Sequence, residues 1–447
     1  MLVSYQEWEK SEDRVALMME AIGRYKSSGR FLRALEAEKY FRGENTEITR
    51  KTVLKARKIE TRDEKGRRRV RSGVEDVVGN RIGSGFLYRF ICQENQMLLQ
   101  NGCLLPENIK ARLGADFDRQ LEMLGERALV QGTAWGFWNN GRLEVIEEAR
   151  DWLSGFFPIE DEMTGKIRAG VQFWQSDVRR GMYIRLFEEN GVTIYRAENG
   201  KGAEEAVPRQ CYRHVKRTDA LGKSVTAAGN WGSVPLIPMY ANAERRSEFT
   251  LAIKAKIDAY DRIMSDFADN LDRANDVYWV LNNFGGTTED IAEMLAEINR
   301  LKAVANISDG AGGATAEPRT IEVPYQARRT ALMLLEKALY ADAMALDTTA
   351  LTGGSLTNVA IRAACANLNL KCDRYEWEVF AFVQKLLALL GMQTEKIRFQ
   401  RQMIANEQET VQTIYLMRQD IDRATALRLN PLLQPEEVEA LLKARSE

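Results

Sequence analysis

Residues 247–276 read SEFTLAIKAKIDAYDRIMSDFADNLDRAND, and their spacing predicts one long helix opened by Ser247. At 100° per residue Ile253, Ile257, Tyr260, Ile263, Met264, Phe267 and Leu271 share one broad face. On the other face Asp258, Asp261, Ser265, Asp269, Asp272 and Asp276 recur every three or four residues. That makes an acidic stripe about five turns long, roughly 27 Å at ~1.5 Å per residue. Asp is a mediocre helix former, and like charges at these spacings are mildly destabilising. A solvated helix face is one reading of the stripe. A surface past which a polyanion must move without sticking is the other.

Downstream, VYWVLNN (277–283) reads as a strand and TTEDIAEMLAEINRL (287–301) as a helix opening at a Thr cap. AVANI (303–307) follows as a strand, SDGAGGATAEP (308–318) as a flexible loop and RTIEVP (319–324) as a third strand. A second helix, QARRTALMLLEKALYADAMAL (326–346), closes this small α/β insert. DTTALTGGSLTN (347–358) cannot be helical through Gly353-Gly354, where backbone entropy is high and no side chain packs. A helix from about Leu356 to Leu390 comes next and stops at Gly391. Its first third is rich in alanine and its last third bulky and apolar, with Trp377, Phe380 and Phe382. Residues 393–447 continue as polar helices, with Pro435 at a helix start.

Upstream, residues 5–42 have helical periodicity broken near Ser27-Ser28-Gly29. Residues 50–71, RKTVLKARKIETRDEKGRRRVR, hold 11 Lys/Arg against 3 acids. That block is either a solvated, mobile loop or an arm that contacts phosphates or a partner through Arg67, Arg68, Arg69 and Arg71. Helical patterns resume from about 72 to 130, and residues 128–240 look strand-rich, with a hairpin turn at Glu189-Asn190-Gly191. The chain is thus α+β, predominantly α-helical.

Composition excludes several classes. The 447 residues carry 63 Lys+Arg against 64 Asp+Glu, a net charge of −1 that gives no general pull toward nucleic acid. The most apolar run, Val379 to Met392, contains Gln384 and Lys385 and is shorter than the ~20 residues a bilayer requires, so no membrane span is expected. The acidic start MLVSYQEWEKSEDR argues against export. Five scattered cysteines without CxxC spacing predict reduced buried thiols and no metal site. The single histidine, His214, lies in CYRHVKR without a marked nucleophile or acid nearby. Gly222-Lys223-Ser224 lacks the upstream glycine of a phosphate-binding loop, and GNRIGSG (79–85) misses the dinucleotide spacing. No cofactor and no catalytic residue are expected.

Taken in order, several stretches resemble the portal, or head-to-tail connector, proteins of tailed bacteriophages. AEKYFRGENTEITRK (37–51) is similar to that family's N-terminal tyrosine–glycine segment, with Tyr40-Phe41 as its two aromatics. GSVPLIPMYANAERRSEF (232–249) resembles the segment that ends the wing and enters the stem. Asp258, Asp261 and Ser265 match an Asp-x-x-Asp-x-x-x-Ser pattern of the first stem helix. TGGSLTNVAIRAACANLNLKCDRYEWEVFAFVQKLLALL (352–390) resembles the tunnel loop and long helix. It departs from the pattern with Thr357-Asn358 in place of Ser-Gly and Ile361-Arg362 in place of Leu-Lys.

The resemblance implies a portal fold assembled as a ring, typically dodecameric, at one capsid vertex. The wing would be 1–246, the first stem helix 247–276 and the clip 277–325. The second stem helix would be 326–346, the tunnel loop 347–358, the long wing/crown helix 359–392 and the crown 393–447. Double-stranded DNA would pass non-specifically through the channel during packaging and ejection. Asp258, Asp261, Asp269, Asp272 and Asp276 are the expected acidic channel face, since a basic lining would retain DNA through counterion release. Thr348, Thr349, Thr352, Gly353, Gly354, Ser355, Thr357 and Asn358 are the expected tunnel-loop residues, touching phosphates without base readout. Implied partners are further copies of the chain, a separate terminase motor that hydrolyses ATP, a head-completion or adaptor protein at the clip, and capsid and scaffolding proteins. The implied location is the virion, after assembly in the host cytoplasm. A metal-dependent nucleotide or phosphoester enzyme is the alternative, though acids spread over five turns do not converge on one ion. A non-channel structural adaptor is another.

Overall fold

The computed structural model describes residues 2–62, 68–175, 181–198, 202–218, 224–274, 278–282, 315–319, 325–351, 357–401, 407–417, 420–433 and 435–443. The chain forms two compact units. The larger is Met1–Thr46, Ser84–Ile257 and Lys337–Glu447, and the smaller is Glu47–Gly83 and Asp258–Glu336. Both units mix helices and strands.

The larger unit is built on a six-stranded antiparallel meander, Ala149–Asp151, Ser154–Glu160, Ile167–Trp174, Met182–Glu188, Gly191–Ala197 and Ala203–Gln210, with spatial order following chain order. Glu189-Asn190 forms the expected two-residue hairpin loop, with Glu188 opposite Gly191. A strand's period of two sends Phe156 and Phe157 to opposite faces, and both faces are covered. Phe157, Val171, Phe173 and Ile184 pack with Met18, Ile22, Tyr25 and Phe31 of helices Arg14–Lys26 and Gly29–Phe41. Phe156 and Phe187 pack with Trp135, Phe137, Ile146 and Leu236. Those four belong to a three-stranded sheet ordered Leu236–Tyr240, Thr133–Asn139, Arg142–Glu147. Burying each such aromatic contributes about 1.5–3 kcal/mol.

Ala128–Gln131, expected to begin the strand-rich region, instead end the helix Phe117–Gln131. Leu121, Leu124, Ala128 and Leu129 keep helical spacing on the buried side, and Gly132 at φ 89° stops the helix by donating its N–H to Ala128 O at 2.7 Å. The Gln131 carboxamide then accepts from Glu148 N at 2.8 Å and donates to Ala149 O at 2.8 Å. It thereby ties the helix end to the first meander strand.

The expected long helix is present as Asn358–Ala364 and Ala366–Leu389, with hydrogen bonds carried through Cys365 (Cys365 N to Ile361 O 3.0 Å, Asn369 N to Cys365 O 2.9 Å). Gly391 at φ 66° follows it, as the sequence predicts. Against helix Phe86–Leu99 it places the Tyr375 hydroxyl 3.0 Å from Asn95 Oδ1 and Lys371 Nζ between Glu94 (2.7 Å) and Glu248 (2.9 Å). Polar helices follow at Glu407–Leu416, Arg423–Leu429 and Pro435–Lys443.

In the smaller unit, the basic block expected as a loop is mostly strand. Thr52–Arg62 and Arg68–Val78 pair in antiparallel register from Thr52↔Val78 to Arg62↔Arg68. β-Branched residues throughout (Val53, Ile59, Val70, Val74, Val77) favour extension, and the charge density hid them. A second ribbon pairs Tyr278–Asn282, within the expected strand 277–283, with Thr315–Arg319, most of which the sequence places in the loop 308–318. Pro318 opposite Trp279 is tolerated because both strands of a two-stranded ribbon are edges. Residues 283–314 and 320–324, with the expected helix at 287–301 and strand at 303–307, lie outside the described residues.

Candidate functional site

The acidic helix runs from Leu251 to Ala274, four residues later than Ser247 would have it. Ser247 instead fixes the approach: its hydroxyl donates to Val130 O at 2.5 Å and accepts from Phe249 N at 2.9 Å. Glu248 N donates to Leu129 O at 3.0 Å. Thr250 Oγ1 caps the helix by accepting from Ile253 N at 3.3 Å. The Phe249 ring lies 4.6 Å from that of Tyr40, and Lys254 Nζ sits 5.5 Å over Tyr40. Tyr40 thus packs against the start of this helix. Residues to Ile257 belong to the larger unit and those from Asp258 to the smaller.

Within the smaller unit the acidic face is not a bare solvated stripe. Ser265 is fully buried and its Oγ accepts from Ile82 N at 2.9 Å. Asp269 receives three donors: Lys51 Nζ at 2.6 Å, Asn80 N at 2.7 Å and Asn80 Nδ2 at 3.0 Å. Asn80 Nδ2 also donates to Asp272 Oδ2 at 2.7 Å, and Lys51 Nζ lies 2.8 Å from Asp266 Oδ1. Arg81 Nε donates to Lys51 O at 3.0 Å. Residues 51 and 80–82 are the chain just before and just after the long hairpin, so the helix grips the hairpin by its feet. Burial favours the neutral form of Asp269, but Lys51 and the Asn80 donors outweigh it and hold the carboxyl below the usual carboxylate range.

Of the residues singled out from sequence, Asp261 is buried, Asp258 and Asp269 are half-buried, Asp272 is exposed, and Asp276 lies outside the described residues. The expectation of one uniformly accessible acidic face therefore needs correcting: the helix packs its polar side as well. Lys51, Asn80 and Ile82 escaped the sequence reading. Lys51 was one cation among eleven, and Asn80 sat inside a glycine motif weighed for nucleotide binding.

Thr348 and Thr349 lie in a 3₁₀ turn, Thr348–Leu351, where Asp347 Oδ1 accepts from Thr349 N at 2.9 Å. Thr357 caps the following helix through Ala360 N at 3.3 Å, and Asn358 N donates to Glu409 Oε2 at 2.6 Å. On the other side of the loop, Leu346 exchanges two hydrogen bonds with Gln93, at 3.0 and 3.1 Å. Both ends of the loop are therefore anchored to helices, while Thr352, Gly353, Gly354 and Ser355 lie outside the described residues. Arg68, Arg69 and Arg71 stand in the second hairpin strand, opposite Arg62, Thr61 and Ile59, and Arg67 lies outside the described residues. His214 is exposed on a two-stranded ribbon, in strand Arg213–Thr218. Among the described residues no three His, Cys, Asp or Glu side chains are grouped to hold a metal ion, and no helix is long and apolar enough to cross a membrane.

The family described as "Phage portal protein, SPP1 Gp6-like" matches residues 25–447. The chain is similar to the portal protein of Clostridium phage phiCD119, 25% identical over 391 residues covering 84% of each chain. It is also similar to the portal protein of Bacillus phage SPP1, 30% identical over 224 residues covering 46% of this chain and 43% of that one. A helix that clamps a basic hairpin and a Gly-rich loop tied down at both ends thus sit in a sequence that matches one family nearly throughout: the chain belongs to the SPP1 Gp6-like phage portal proteins.

Proposed function

We propose that copies of this chain close into a ring, typically of twelve, at one capsid vertex, and that double-stranded DNA passes through its bore during packaging and ejection. The family match over residues 25–447 carries this reading. The wing, stem, clip and crown would follow the boundaries given by the resemblance, with helix Leu251–Ala274 as the first stem helix and Tyr325–Asp342 as the second. The protein is structural: a separate terminase would supply ATP hydrolysis, and an adaptor would dock at the clip. Capsid and scaffolding proteins would meet the outer surface, in the host cytoplasm during assembly and in the virion thereafter.

In this reading the acidic helix has two tasks. Ser265 and Asp269 hold the hairpin, while Asp272 and the half-exposed Asp266 leave negative charge at the surface that the duplex meets. Negative charge there keeps passage from turning into counterion-driven retention. The basic hairpin, at about 3.3 Å per residue, makes a ribbon roughly 36 Å long that reaches a polyanion or a partner. The Gly353-Gly354 loop would touch phosphates transiently. The test is a packaging assay with proheads assembled with and without this chain. DNase-protected DNA only in the first supports the reading, and equal protection in both refutes it.

A further inference from the structure

The two ends of the Gly-rich loop are held by different chemistry. At the entry, the Gln93 carboxamide meets both backbone groups of Leu346, donating to its carbonyl at 3.0 Å and accepting from its N–H at 3.1 Å. Leu346 is buried with Met97, Ile361, Cys365 and Leu368, so neutral hydrogen bonds and an apolar cluster fix this end together. At the exit the attachment is charged and comes from 51 residues further along the chain: Asn358 N donates to Glu409 Oε2 at 2.6 Å. Asn358 Nδ2 also donates to Thr410 Oγ1 at 3.3 Å. Glu409 and Thr410 stand in the first turn of helix Glu407–Leu416. A hydrogen bond to an ionised acceptor is roughly twice as strong as a neutral one.

Burial contributes little to holding that exit. Val359 and Ala360 are exposed, and Ile361 is the first buried residue of helix Asn358–Ala364. Without the Glu409 attachment, residues 358–360 would be free to join the loop. They would add at most ~10 Å of contour at ~3.4 Å per residue, and so up to ~5 Å of reach at the loop's tip. We infer that Glu409 is a positioning residue for the passage of DNA: through it, helix Glu407–Leu416 holds the exit of the loop and limits how far the loop extends toward the duplex. This rests on the ring reading above and names the element that sets the loop's reach.

The experiment compares full-length wild type with Glu409→Ala and Glu409→Gln. In hydrogen exchange, Glu409→Ala should accelerate residues 358–360 about 10-fold and leave Leu346 unchanged. In proheads assembled with each chain, DNase-protected DNA should fall about 10-fold for Glu409→Ala, the equilibrium shift from losing one such bond. Glu409→Gln keeps an oxygen that accepts from Asn358 N, so protection should recover to within about 3-fold of wild type. Thermal melting and ring mass should stay unchanged in both, which separates positioning from a role in folding or assembly. Full protection by Glu409→Ala overturns the inference, as do unchanged exchange at residues 358–360 and equal loss of protection in the two variants. Failure of both variants to fold or to close rings overturns it too, because Glu409 then supports the assembly rather than the loop. If proheads with the wild-type chain protect no DNA, the ring reading fails first, and the two failures are thereby separate.

Discussion

Replacing Lys51 with alanine removes the cation that links the acidic helix to the foot of the basic hairpin. Lys51 and Asp269 side chains are each only 13% exposed and lie 2.6 Å apart, whereas Asp266 is 48% exposed. A charge-assisted hydrogen bond of the first kind contributes about 1.5–3 kcal/mol, and a half-exposed pair of the second kind adds at most ~0.5 kcal/mol. The expected loss is therefore about 2 kcal/mol, felt where the hairpin joins the helix rather than across the whole chain. Hydrogen exchange reads it directly, because the N–H groups of Asn80 and Ile82 donate to Asp269 and Ser265. Their protection should fall about 30-fold in Lys51→Ala, while that of the six-stranded meander stays unchanged. In a double-mutant cycle with Asp269→Asn, about 1.5 kcal/mol of coupling is expected. A change below ~3-fold at residues 80–82, or an equal loss over the meander, would refute the clamp.

Further outcomes follow from the same geometry. Asp269 has a depressed pKa, so its contribution is present above the ordinary carboxylate value of ~3.9 and disappears as pH falls through the lower folded value. Exchange at residues 80–82 should accordingly accelerate only at strongly acid pH, and acceleration already at pH 6 contradicts this. Glu94 is buried, which raises its pKa to about 7 despite Lys371, with Glu248 adding to the rise. Folded protein then binds a proton that unfolded protein releases near ~4.3, so stability should decline as pH rises from about 4.5 to 7, by about 3 kcal/mol in all. Glu94→Gln should flatten that slope in urea titrations, whereas Lys371→Met should cost about 3–5 kcal/mol above pH 7, where it strands the Glu94 and Glu248 carboxylates. Gly132→Ala should destabilise by about 1–3 kcal/mol, because a Cβ there would lie 2.8 Å from Arg245 O and Ser247 N at a φ of 89°. A thermal melt within a degree of wild type argues against it. Replacing Arg68, Arg69 and Arg71 by alanine should reduce the slope of log affinity against log salt for duplex DNA by up to about 2.7, and an unchanged slope removes the hairpin from DNA contact.

Much of the chain can be read locally because its signals are local. The Glu189-Asn190 hairpin, the stop at Gly391 and the helix Tyr325–Asp342 each follow from a few adjacent residues. The acidic helix was visible for the same reason, but the environment of its polar side was not. Asp269 and Ser265 are satisfied by Lys51, Asn80 and Ile82, more than 180 residues earlier in the chain. Periodicity shows which residues share a face, and says nothing about which remote backbone N–H groups will be brought there. The hairpin was hidden differently: its charges suggested solvation, while its β-branched residues and pairing partners made strands. Trp377 shows the reverse error, an apolar residue at core-like spacing that faces out because Tyr375, Val379 and Phe382 already fill the inward side.

Imaging of purified full-length protein by electron microscopy, with native mass to count copies, bears most directly on the account. Closed annuli with a central opening wide enough for a duplex are expected. Compact single chains at every concentration, or closed particles without a bore, would contradict it.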